Sequence, residues 1–433
     1  MYTSVPYRKF LECSGVTTDT RSCTQGFMFF ALKGERFNGN DFILQALEKG
    51  CLYAVTDEPE RYDSGDSRII AVPNVLKALQ ELALAHRRKI GLPVIGITGT
   101  NGKTTTKELV TAVLSERFNV LATQGNLNNS IGVPLTVLQI KPEHQIAIIE
   151  MGASHPGDIQ ELVNVCDPDF GLITNVGMAH LLGFGSFEGV KNTKGELYAH
   201  IRSKNGKIFL NRDNVHLCGM AADLSSIDYG KESGFVQGGV LDCNPLLRIW
   251  WSRENGEKHI VQMRMTGSYN ADNALAAITV GSFFGISDKD ICHALEEYTP
   301  RNNRSQITET GHNTLVVDAY NANPTSMNAA LDNFGMISAS EKMLILGDMR
   351  ELGEQSMEEH RRIIGRITAD GYRNVILVGG EMSAAVGQSH PEWLCFKDVS
   401  ALKDWLSDNR PEGKTILIKG SNSIGLTGIT DLL

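Results

Sequence analysis

The stretch GITGTNGKTTTKEL, residues 96–109, decides how the rest of the chain is read. The common phosphate-loop spelling G-x-x-x-x-G-K-S/T would need glycine at position 97, and the residue there is Ile97. Gly96, Gly99 and Gly102 instead fall three apart, ahead of Lys103, Thr104, Thr105 and Thr106. The surroundings are still those of a phosphate loop. An apolar run (PVIGITG) leads into a glycine-rich turn, and Val110, Val113, Leu114 and Phe118 then recur at helical spacing. Gly99 and Gly102 let backbone N–H groups turn towards phosphate oxygens. Lys103 can reach the β and γ phosphates, and the Thr104 hydroxyl can ligate Mg²⁺. The alternative, a strand–helix turn that binds nothing, is disfavoured by Lys-Thr-Thr at the helix start.

Around this loop the 433-residue chain divides into segments, being long for one core. Residues 1–90 mix short apolar runs (FMFFAL, CLYAVT, RIIAV) with helix-like stretches at 42–49 and 74–89, the pattern of a small α/β domain. RRKIGLP (87–93) reads as a linker. Residues 91–300 alternate strand, turn and helix. QIAIIEMG and DFGLITNVG are nearly continuous apolar runs, expected of parallel strands covered on both faces. LLRIWWSRENGEKHIVQMRM reads as a hairpin turning at Asn255-Gly256, and NADNALAAITVGSFFG as a buried helix. In residues 301–433, LVVDAYN, MLILGDM, VILVGG and TILIKGS predict a second, smaller doubly wound α/β domain, whose ligands would sit beyond the carboxyl ends of its strands.

Composition narrows the function classes. A net charge of −9 argues against broad nucleic-acid binding. Eight scattered cysteines without a C-x-x-C pair fit reduced thiols in the cytoplasm. MYTSVPYRKFLECSG has no apolar core of signal length and no run of 18 apolar residues occurs, so membrane insertion is not expected. A monomer is the plain expectation.

GTNGKTTTKEL is similar to the ATP loop of the Mur ligases, the cytoplasmic enzymes that build the peptidoglycan stem peptide. The resemblance continues through QGNLNNSIGVPLTVL (124–138), EMGASHPGDI (150–159), HLLGFGSFEGVKNTKGELY (180–198), DAYNANPTSM (318–327) and LGDMRELG (346–353). It implies a three-domain architecture. Residues 1–90 would bind the UDP-muramoyl substrate, and residues 91–300 would bind ATP on a P-loop-ATPase-like parallel sheet. A Rossmann-like domain, 301–433, would close over ATP and bind D-Ala-D-Ala. The NLNN and YNANP strings point to the branch that joins D-Ala-D-Ala to UDP-MurNAc-tripeptide through an acyl phosphate. They speak against a ligase adding a single amino acid.

Glu150 ends the run IAIIE and His180 follows ITNVGMA, so both should project from strand ends near the loop, where a carboxylate and an imidazole can hold Mg²⁺. These ligands disfavour a purely regulatory ATP-binding module. The resemblance adds Lys194, carbamylated in several Mur ligases, as a further metal ligand; an ordinary cation near phosphate is the alternative. It also implies Gly99, Thr100, Asn101, Gly102, Lys103, Thr104, Thr105, Asn273, Arg304 and Asp318 as the ATP site. Of the candidates, Lys103, His180, Lys194 and Arg304 would act on the reacting groups. Asp19-Thr20-Arg21, in place of the family's D-S-R, would meet the UDP end with Lys33 as a second cation, and Asn128 and Asn129 the muramoyl peptide. The chain departs from the family at Tyr269, where G-x-H-N has histidine, and at Asn422, where K-G-S-R-S has arginine.

Overall fold

A computed structural model describes residues 4–63, 65–178, 181–301 and 303–433. Its strands form three sheets. The first is four short parallel strands, β1 (Gly15–Thr17), β2 (Phe27–Phe30), β3 (Tyr53–Thr56) and β4 (Ile69–Ala71), paired in sequence order. A 3₁₀ turn at Gly39–Phe42 runs into the helix Ile43–Glu48, close to the helix-like stretch read there.

The central sheet contains β5 (Val94–Thr98), β6 (Val120–Ala122), β7 (Ile146–Glu150), β8 (Phe170–Ile173), β9 (Lys207–Asn211), β10 (Ser225–Gly230), β11 (Val236–Cys243), β12 (Leu247–Arg253) and β13 (His259–Gln262). Their spatial order is β13-β12-β11-β10-β9-β8-β5-β7-β6, with only β12 and β13 joined through antiparallel pairings. Asn255, at φ 57°, lies in the turn of that hairpin, where the sequence put it. The continuous apolar runs have a direct cause. Ala147 and Ile149 of β7 enter one core, while Ile146 and Ile148 enter the core on the other face. From β5 the chain passes outward to β6 and returns through β7, and β8 then pairs on the opposite side of β5. The loop after β5 therefore stands at the point where strand order reverses, the usual ligand position in an open α/β sheet.

The third sheet contains β14 (Gln306–Glu309), β15 (Thr314–Val317), β16 (Lys342–Gly347), β17 (Val375–Val378), β18 (Leu394–Phe396) and β19 (Thr415–Lys419), in the order β14-β15-β19-β16-β17-β18. All its pairings are parallel except that of the edge strand β14. The four apolar runs read from the sequence are β15, β16, β17 and β19. Among the described residues no helix is long and apolar enough to cross a membrane.

The segment RRKIGLP is not simply a linker. The helix Val75–Ile90, capped by the Asn74 side chain at Lys77 N, runs through its first four residues and ends at Gly91, at φ 70°. Leu79 and Leu82 on this helix share a core with Val133, Val137, Ile159 and Leu162 of the central unit. Arg87 is buried against that unit as well. Its guanidinium donates to Cys166 O (3.1 Å), Asp167 O (3.2 Å) and the Asp169 carboxylate (2.6 Å). Truncation would strand the Cys166 carbonyl and take one donor each from Asp167 O and the Asp169 carboxylate, which keep Lys204 Nζ and Val94 N. Arg87→Ala is expected to lower stability by about 2 kcal/mol, read as a lower urea midpoint with unchanged slope.

Candidate active site

The loop after β5 is shaped by its glycines and held by the end of β8. Gly99 sits at φ 145°, and a Cβ there would lie 2.0 Å from Thr174 Oγ1. Gly102 sits at φ 79°, with Asn273 Oδ1 only 2.6 Å from a Cβ. Both positions demand glycine for conformation and for space. Gly96 is different: a Cβ on it would meet Met151 and Pro168, so it serves packing beneath the sheet. Asn101 N donates to Asn175 Oδ1 (3.0 Å), and Asn101 O accepts from Thr174 Oγ1 (2.6 Å) and Asn175 Nδ2 (3.0 Å). Thr174 and Asn175 are site residues that the sequence reading missed. They follow the apolar run of β8 with no spacing signal of their own.

The helix Lys103–Ser115 starts directly from the loop, and its first-turn N–H groups lack intrahelical partners, forming an anion seat. Lys103 Nζ folds back onto Gly99 O (2.8 Å) and Thr100 O (2.9 Å). Burial lowers its pKa to about 8; Glu150 opposes the shift, and Arg304 adds to it.

Glu150 lies at the end of β7 and is 1% exposed. Its Oε1 accepts from Thr104 Oγ1 (3.0 Å) and Asn128 Nδ2 (2.9 Å). Its Oε2 is buried without a hydrogen-bond partner among the described residues. A bare carboxylate oxygen beside a phosphate loop is a donor suited to a hard divalent cation. No group of three His, Cys, Asp or Glu side chains among the described residues is arranged to hold a metal, and His180 lies outside those residues.

Lys194, on the helix Phe187–Ser203, is 2% exposed, with its Nζ 5.5 Å from the centre of the Phe184 ring. Burial, with the field of Lys103 behind it, lowers its pKa to about 7, against the pull of Asp158 and Glu196. Near neutral pH it is therefore often an uncharged, nucleophilic amine.

Asn128, Asn129, Glu150, Asn273, Arg304 and Asp318 converge with the loop on one cleft of about 800 Å³. Several of these side chains also make contacts within the protein. Asn129 Oδ1 accepts from Ile131 N (3.1 Å) and Gly132 N (2.8 Å), so half of its amide caps the turn into the next helix. The Asn273 amide accepts from Thr106 Oγ1 (3.0 Å) and donates to Asn270 Oδ1 (2.9 Å), bracing the loop from below. Asp318, expected in the ATP site, holds Lys419 Nζ at 2.7 Å, and this lysine is 1% exposed. Lys419 ends an apolar run and opens the string compared with K-G-S-R-S, and neither reading gives it a role. Arg304 lies with its guanidinium carbon 3.7 Å from the centre of the Tyr320 ring, its Nε buried and unpartnered among the described residues. Tyr269, the departure from histidine, contacts Ser305 Oγ at 3.0 Å.

Lys194 does not line the cleft, and neither do Asp19, Thr20 and Arg21 of the first unit. Asp19 caps the turn Thr20–Ser22 and binds the Arg21 guanidinium (2.7 Å), an exposed local pair. Lys33 pairs with Asp57 (3.1 Å) and Glu58 (3.0 Å).

Comparison with known proteins bears on this geometry directly. The family models described as Mur ligase family, catalytic domain; Mur ligase middle domain; and Mur ligase, glutamate ligase domain match residues 12–87, 97–281 and 303–422. A UDP-N-acetylmuramoyl-tripeptide--D-alanyl-D-alanine ligase from Synechocystis is 35% identical over 98% of this chain and 92% of its own length. The enzyme of that name from Bacillus subtilis is 33% identical over 96% and 92%. A crystal structure of MurF from Acinetobacter baumannii superposes with a TM-score of 0.86 at 30% identity, covering 96% of this chain and 92% of that one. MurF ligase from Thermotoga maritima in complex with ADP gives 0.84 at 26% identity, covering 98% and 97%. With three family segments in order along it and relatives matched from end to end, the chain belongs to the Mur ligase family.

Proposed function

We propose that the chain joins D-Ala-D-Ala to the C-terminal carboxylate of UDP-MurNAc-tripeptide at the expense of ATP, as a cytoplasmic monomer. One observation carries the reading. The unpartnered Glu150 oxygen stands beside Thr104 in a cleft that also holds Lys103 and Arg304, so cation donors and phosphate-binding groups share one space. The relatives named above carry this activity in their names.

The chemical difficulty is that two anions, the γ-phosphate and the substrate carboxylate, must meet. Lys103 would leave the Gly99 and Thr100 carbonyls for the phosphates, and Arg304 would reach the γ-phosphate from the third domain. The γ-phosphorus would exchange its bond to the ADP oxygen for one to the carboxylate oxygen. The dipeptide amine would then form the C–N bond at the carbonyl carbon as its bond to the phosphate oxygen breaks, inorganic phosphate leaving with that electron pair and the amine proton passing to the phosphate or to water. The work is neutralisation and alignment, with no covalent enzyme intermediate. Mg²⁺ would be held by Thr104, Glu150, His180 and a carbamate on Lys194, and would supply positive charge to the phosphate oxygens. The buried, weakly basic Lys194 supports the carbamate, since only an uncharged amine adds CO₂. Asp318 would accept from ribose hydroxyls, and Asn273 would meet the nucleoside. Asn128 and Asn129 would meet the muramoyl peptide. Arg21, in an exposed pair of little strength, can leave Asp19 for the UDP end.

The decisive assay is phosphate release from ATP. Release that requires both UDP-MurNAc-tripeptide and D-Ala-D-Ala sustains the proposal, and turnover with neither favours a regulatory module. Glu150→Gln keeps an acceptor for Thr104 and Asn128 while removing the charge. It is expected to cut turnover at least about 100-fold at saturating Mg²⁺, with a melting temperature within a few degrees of wild type. Lys194→Ala and Lys194→Arg are both expected to lose most activity, with acetate partly restoring the alanine variant. Arginine outperforming alanine, with no response to acetate, would assign an ordinary cation instead.

A further inference from the structure

A hydrogen bond joins the phosphate loop itself to the third domain. Asn323 caps the helix Pro324–Met336: its Oδ1 accepts from Ser326 N (2.8 Å), while its own N–H donates to Ser326 Oγ (3.1 Å). That cap fixes the orientation of the amide, leaving Nδ2 as a donor, and Nδ2 meets Asn101 Oδ1 at 2.9 Å. Asn323 is 9% exposed, so the bond is largely shielded from water. The main chain of Asn101 is tied on both sides to Thr174 and Asn175 of the central domain. A single loop residue thus receives the central sheet through its backbone and the third domain through its side chain. Other contacts between these domains do not touch the loop itself: Ser305 Oγ accepts from Asn270 Nδ2 (2.9 Å) and meets Tyr269 Oη (3.0 Å) in the cleft, and others lie farther off. Asn333 Nδ2 donates to Thr266 Oγ1 (3.0 Å), and Asn244 and Ser338 exchange two hydrogen bonds (2.9 and 3.0 Å).

We propose that Asn323 is a positioning residue whose bond to Asn101 couples the shape of the phosphate loop to docking of the third domain, so that nucleotide binding and delivery of Arg304 form one equilibrium. A nucleotide that orders the loop then favours the docked domain, and the docked domain favours the nucleotide by the same factor. The inference rests on the ATP-binding part of the proposed function and is independent of which amine is joined.

Asn323→Ser tests it, because serine is an equally good helix cap but its hydroxyl is one atom too short to reach Asn101. Affinity for a non-hydrolysable ATP analogue, measured by calorimetry, is expected to fall about fivefold to tenfold, the range of one shielded hydrogen bond. Melting temperature should stay within a few degrees, and the compaction that the analogue induces in solution scattering should shrink. Asn101→Ala removes the same bond from the other side, and the double variant should be no weaker than either single one. A purely structural role would shift melting temperature without this non-additivity. Unchanged affinity in N323S, or effects that multiply in the double variant, would overturn the inference. If N323S is too unstable to measure, Asn323→Asp keeps the cap but has no donor for Asn101 Oδ1, and normal affinity there overturns the inference equally. A wild-type chain that binds no nucleotide overturns both readings, whereas normal wild-type binding left intact by the variants overturns this one alone.

Discussion

A buried carboxylate with one oxygen bound and the other bare sits where the structure converges. Glu150 receives Thr104 from the phosphate helix and Asn128 from the loop after β6, and its backbone N–H reaches Thr123 Oγ1 (2.9 Å). Lys107, one helical turn beyond Lys103, passes inward to hold Thr123 O at 2.8 Å. Burying a charge without a full set of partners is costly, and proteins retain such a group where a ligand completes it. The neighbouring cations show the same tension from the opposite side, for Lys103 and Lys194 are both held below their ordinary basicity by burial. The charged groups of the cleft are not balanced among themselves.

The loop's geometry follows from the same crowding. Thr174 fills the space above Gly99 and Asn273 the space above Gly102, so each glycine is fixed by a polar neighbour that also ties the loop down. Spacing the glycines three apart changes the spelling of the motif. It keeps the essentials, a lysine at the helix start and an unencumbered first turn of N–H groups.

Much of this was legible in the sequence because it is periodic or local. β5, β7, β8 and the four parallel runs of the third sheet are buried on both faces and so read as unbroken apolar stretches. The phosphate loop announced itself by glycine and lysine. What escaped was relational. Asp318 and Lys419 are 101 residues apart, and nothing in either segment reveals the pair. Asn129 and Asn273 were read for ligands, yet their amides also cap and brace, because an asparagine's two ends can serve different masters. The arginine-rich end of the helix Val75–Ile90 looked like a solvated linker, since sequence alone does not distinguish an arginine facing water from one seated on buried carbonyls, as Arg87 is.

That helix has a consequence for how the molecule comes apart. Its leucines belong to the same core as the helices flanking β5 and β7, whereas the clusters around the third sheet contain only residues from 315 onward. The first and central sheets cannot part without exposing shared apolar surface. The third sheet meets the central one through asparagine, serine and threonine contacts that water can replace at modest cost. Three sheets are thus expected to melt as two bodies: a large unit that loses its first two sheets together, and a smaller one whose calorimetric transition separates from it.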